Sequence, residues 1–240
     1  MGQTYIAVNP EKREAMFPHE YENGGKIMEH GFIDNEFVAA VEVLLRPKHG
    51  WYKQPLVWAG DYGDADAFMT VAEIRAVEKA TNLNHIARKF KTPRKVKATS
   101  ISGFTFIVNH TKQEYVDLEA VPAEIDGLQI HPLPLLTASG NNRGSGDYHG
   151  SSMYLVGHWA GDKISMENKA PAKFLEIVPD FIHGVEDISS PDMKGGDEVT
   201  IPCEFCHKEI PIVLKEPHLC TTQVVMAVGG KVKLKLKATS

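Results

Sequence analysis

The sequence predicts an α+β fold made of two tandem homologous units of about 100 residues, rich in antiparallel strands, with helices mainly in the first unit and a small β-subdomain at the C-terminus. Three observations carry this reading. The segment beginning at Ile6 matches the one beginning at Phe106, with Val8, Asn9, Lys12 and Glu14 identical to Val108, Asn109, Lys112 and Glu114. The tetrapeptide Trp58-Ala59-Gly60-Asp61 recurs as Trp159-Ala160-Gly161-Asp162 in the same order and at nearly the same offset. All three cysteines lie beyond both copies, between Cys203 and Cys220. The expected divisions are therefore 1–100, 101–198 and 199–240.

Each unit opens with a short apolar run, an Asn, a Lys-containing polar stretch and a second strand-like run. That pattern reads as a β-hairpin, because Asn at a turn bonds its own backbone and tolerates left-handed dihedrals. Asp34 or Asn35 can cap a helix that places Phe37, Val38, Val41, Leu44 and Leu45 on one face and stops before Pro47. Thr70 and Glu73 form a capping box, with Met69 and Ile74 placed as a staple, for a helix over 71–81. Leu83, Ile86, Ala87 and Phe90 give a short basic helix. The Trp-Ala-Gly-Asp segments read as strands entering tight turns, with the tryptophans in the core. Asp61 and Asp162 would then occupy equivalent places on a pseudo-symmetric rim. At the end of the chain, Lys231, Lys233, Lys235 and Lys237 alternate with Val232, Leu234 and Leu236, as in a half-buried strand whose lysines guard an exposed edge.

Bulk properties narrow the class. The chain has 240 residues, 42% hydrophobic and 24% charged, values that exclude collagenous and low-complexity proteins. Its net charge of -5 is unevenly placed: residues 79–112 hold eight Lys/Arg and no acid, leaving 18 bases against 31 acids elsewhere. No apolar run is long enough to cross a membrane, and the N-terminus has neither signal-peptide nor myristoylation features. Three cysteines are too few for a disulfide framework. The expectation is a cytoplasmic protein.

Four segments could carry chemistry. Cys203 and Cys206 form a Cys-x-x-Cys pair between two β-like runs, and His218 and Cys220 follow. Together they could complete a tetrahedral structural zinc site, with His207 a competing fourth ligand; reduced structural cysteines or a redox pair are the other readings. The glycine-rich loop 140–150 could present backbone N–H groups and Arg143 to an anion, with Asp147 and His149 as further ligand-binding candidates. It lacks the Gly-Lys-Ser/Thr of a phosphate-binding loop. Asp147, His149, His158 and Asp162 could be imagined as a hydrolytic metal site, and Asp61, Asp64 and Asp66 resemble a calcium loop only superficially. Finally Arg88, Lys89, Lys91, Arg94 and Lys95 could hold a polyanion, or the acidic face of a protein partner or second copy.

No nucleophile and base are matched and no cofactor fingerprint is present. The functional expectation is a binding or interaction module with a structural zinc ion. A hydrolase or nucleotide-processing enzyme using loop 140–150 is the alternative, and a subunit of a larger assembly a third. Convergence of Asp147 and His149 with His158 or Asp162 would favour the enzyme.

Overall fold

The computed structural model describes residues 2–63, 68, 82–94, 103–122, 129–141 and 143–182, and the strand segments 199–202, 209–212, 224–227 and 231–234. Met1–Ser190 and Pro191–Ser240 are separate compact units. The expected helix over 71–81 and the Cys203, Cys206, His207, His218 and Cys220 positions lie outside the described residues, as do Asp64, Asp66 and Lys95. The protein mixes α and β structure, with few helices and two mixed sheets in the first unit.

The chain opens with strands β1 (Tyr5–Asn9) and β2 (Glu14–Met16), an antiparallel hairpin in which Asn9 faces Glu14. Asn9 Oδ1 accepts the N–H of Lys12 at 2.9 Å, and Arg13 closes the loop at φ 54°. This is the turn chemistry expected of Asn. Helix α1 (Ile27–His30) precedes α2 (Glu36–Leu45), capped by Asn35, whose Oδ1 accepts from Phe37 and Val38 N–H. Arg46 is already extended, as a residue next to Pro47 should be. Strands β3 (Gln54–Pro55) and β4 (Val57–Gly60) follow, then helix α3 (Leu83–Ala87), capped by Asn82.

A second hairpin, β5 (Phe106–Asn109) and β6 (Glu114–Asp117), repeats the first in detail. Asn109 faces Glu114 and accepts Lys112 N–H at 2.9 Å, and Gln113 sits at φ 60°. Helix α4 (Pro132–Leu136), β7 (Ala138–Ser139), β8 (Lys163–Glu167) and β9 (Leu175–Glu176) complete the unit. The sheet orders are β2-β1-β4-β7 and β3-β8-β5-β6-β9. The first sheet is covered on both faces, which is why all of β1 is buried: Tyr5 and Ala7 enter one apolar cluster with Trp58, while Ile6 and Val8 enter another with Leu83 and Ala87.

The two Trp-Ala-Gly-Asp segments do not occupy corresponding places. Trp58 lies within β4 opposite Ala7, whereas Trp159 lies in the turn before β8, where Met166 is opposite Ile107. The counterpart of Trp159 is Trp51. Trp51 Nε1 donates to Glu14 at 2.6 Å and Trp159 Nε1 to Glu114 at 2.7 Å. Their own N–H groups reach Leu44 O and Leu136 O, and Lys53 (φ 56°) and Gly161 (φ 78°) take the same left-handed backbone two residues later. The two segments then bond reciprocally: Lys53 N–H donates to Ile164 O and Gly161 N–H to Leu56 O, on either side of the Pro55–Lys163 pair. Outer edges correspond too. Lys91 N–H donates to Arg13 O, and Leu175 N–H to Gln113 O, so a returning segment runs along the second strand of each hairpin.

The unit Pro191–Ser240 contains two antiparallel pairs, β10 (Val199–Pro202) with β11 (Glu209–Ile212) and β12 (Val224–Ala227) with β13 (Lys231–Leu234). No helix among the described residues is long and apolar enough to cross a membrane.

Candidate functional site

Loop 140–150 turns inward at its acid and outward at its other candidates. Asp147 is 1% exposed, while Arg143 and His149 are exposed. Gly140 and Gly144 press against Gln3 and Tyr5 so closely that a Cβ at Gly144 would meet the Gln3 backbone. Asp147 Oδ2 accepts the loop's own Gly144 N–H at 2.7 Å, so that N–H is already satisfied within the loop. With the Gln3 amide oriented to donate, its nitrogen reaches Asp147 at 2.9 Å and the Tyr5 hydroxyl at 3.1 Å. Burial raises the Asp147 carboxyl above its ordinary range, and burial followed by the Asp147 charge raises the Tyr5 phenol. This buried cluster ties the loop to β1.

The other candidate residues have separate partners. His158 Nε2 and the Trp159 indole share Glu114, while Asp162 meets Asn109 at 2.8 Å and Lys112 at 3.2 Å. Asp61 accepts from both the N–H and the hydroxyl of Thr4. Asp61 and Asp162 therefore serve different contacts. Among the described residues no three His, Cys, Asp or Glu side chains come together as a metal-sized group.

A concave site forms where the first hairpin splays. The β1–β2 ladder ends at Ala7–Met16, because Pro18 has no N–H to continue it and starts a 3-10 turn over Pro18–Tyr21. The chain comes back at Gly25, whose carbonyl accepts Tyr5 N–H at 2.7 Å. The gap is a cavity of about 460 Å³, whose lining includes the rings of Phe17 and His19, the guanidinium of Arg88 and the carboxylate of Glu20. This is within the range of small-molecule sites, roughly 300–1,000 Å³. The Phe17 and His19 rings are 5.6 Å apart and tilted by 43°.

Arg88 is aimed by the fold. Its Nε donates to Asn84 Oδ1 at 3.3 Å, and Asn84 Nδ2 in turn donates to Thr4 O and Ala59 O. Lys89, Lys91 and Arg94 follow, all exposed, and the backbone of Lys91 is bonded along β2. Arg13 adds its guanidinium over the Phe90 ring at 4.6 Å. The cavity had no signature in the sequence, since it depends on where a ladder stops; Pro18 after a strand was the one available sign. Compared with known proteins, the chain matches no family model, no curated protein and no solved structure.

Proposed function

We propose that this protein is a binding module for a polyanionic ligand. One observation carries the reading: Arg88, held by Asn84, lines a cavity, and Lys89, Lys91 and Arg94 follow it in the chain, all exposed. Lys95 extends that run in the sequence. Phosphate contacts by such side chains release counterions and make binding fall steeply with salt. The test is retention on a phosphocellulose column. The unmodified protein is expected to be retained at low salt, and the triple variant Arg88→Ala, Lys89→Ala, Lys91→Ala to elute much earlier; identical elution of the two sinks the reading. Alanine at 91 keeps the backbone bonds to β2, so loss of retention reports charge.

Residues 1–100 and 101–198 are read as two copies of one unit. The support is the paired geometry of Asn9 and Asn109, Trp51 and Trp159, and Lys53 and Gly161. In 199–240, Cys203, Cys206, His218 and Cys220 are proposed to hold a structural zinc ion. What supports this is strand pairing that ends at Pro202–Glu209, so residues 203–208 link two adjacent strand ends, a setting suited to Cys-x-x-Cys ligation. Metal analysis is expected to find about one zinc per chain. A zinc-free protein, or one whose zinc survives Cys203→Ser with Cys206→Ser, would rule it out.

A further inference from the structure

We infer that the polyanion is single-stranded nucleic acid, with one base stacked in the cavity on the Phe17–His19 wall and the following phosphates along the basic run. This rests on the polyanion reading and narrows it. Three features argue for it. The cavity pairs a ring surface with a positioned guanidinium, and its volume suits one base with its sugar. Aromatic stacking requires a base that is free of a duplex, because paired bases are already stacked on each other. The cations do not stop at Arg88: Lys89, Lys91 and Arg94 follow it in the chain, all exposed, which suits a chain of phosphates. A tyrosine-phosphorylated peptide would engage the ring surface and Arg88 through one residue and make no use of these three.

The site's own hydrogen bonds also set its selectivity. Thr4 Oγ is spent on Asp61, Asn23 Nδ2 on Tyr21 O, and Asn23 Oδ1 on Asn35. Each of these groups is thereby held by the protein's own bonds rather than aimed at a base edge. Recognition is then by stacking and charge, which tolerates any sequence.

The experiment is fluorescence anisotropy with the full chain and labelled oligothymidylate of about 12 nucleotides, within the site sizes usual for such proteins. A mixed-sequence single strand, a duplex of equal length and a tyrosine-phosphorylated peptide are compared. Both single strands are expected to bind with similar affinity, at least tenfold tighter than duplex or peptide. Simple electrostatics would give the opposite order, since duplex has the higher charge density. His19→Ala is an exposed substitution that spares the core, and it should weaken oligothymidylate binding about tenfold without changing the salt slope. Arg88→Ala should reduce the slope by roughly 0.7. Equal or tighter binding of duplex or peptide, or an unaltered His19→Ala affinity, overturns the inference. If retention on phosphocellulose persists in that event, the polyanion reading stands; if retention fails as well, both fall.

Discussion

Trp58→Ala is expected to reduce the unfolding free energy by about 3–5 kcal/mol, read from urea denaturation at neutral pH. Trp58 is fully buried, with its ring 5.3 Å from Phe37 and 5.8 Å from His30. Removing it takes away a large apolar surface and leaves a cavity that β4 cannot collapse to fill, because β4 is bonded to β1 on one side and β7 on the other. It also strips His30 of a partner: the indole N–H donates to His30 Nε2 at 2.8 Å. Trp58→Phe keeps most of the ring contacts but loses the donor and part of the buried ring, so it should cost roughly 1–3 kcal/mol. A loss below about 1 kcal/mol for the alanine variant would contradict this account of the core.

The second large effect is loss of stability in mild acid. His30 Nε2 accepts from Trp58, so its Nδ1 carries the proton and donates to Gly24 O at 3.0 Å. The ring is neutral, and a second proton would have to enter the position facing the indole N–H. Burial pushes the pKa down from 6.5 to about 4. With the folded value below the unfolded one, the unfolded chain binds the proton first. The contribution of His30 is therefore complete above pH 6.5 and is lost as pH falls through 4, by about 3 kcal/mol in all. Urea midpoints between pH 7 and pH 4 measure it, and His30→Phe should flatten that part of the curve. If the curve of the variant stays parallel to the original, the acid sensitivity resides elsewhere. Asp147 acts in the opposite sense: its carboxyl is raised by burial, so its contribution is fullest below the ordinary carboxylate range and declines as pH rises through its folded value.

Much of the local structure could be read from residue spacing. Asn at the hairpin turns, Asn35 before an apolar stripe and Pro47 after it each act within a few residues, and the structure has both hairpins and α2 where these signals lie. Longer-range features were not readable in this way. Trp159 matches Trp58 in residue type, yet it corresponds in space to Trp51, because what is shared two residues later is a left-handed backbone carried by Lys53 in one place and Gly161 in the other. Identity matching sees side chains and is blind to that conformation. The basic segment was legible as charge, but its backbone pairing with β2 through Lys91 was not, since hydrogen bonding along a strand edge leaves no mark on composition. Loop 140–150 reads two ways for a related reason: glycines that suit an anion also suit close packing, and here they let Gln3 and Tyr5 approach.

The outer edges of the two hairpins have a further consequence. The same backbone bond recurs at both, yet the side chains brought to it differ: Arg88, Lys89 and Lys91 at one, Leu175, Glu176 and Val178 at the other, with Leu175 and Val178 more than half exposed. One border is cationic while the other is apolar and acidic, so two edges of the same backbone design offer surfaces to partners of different chemistry.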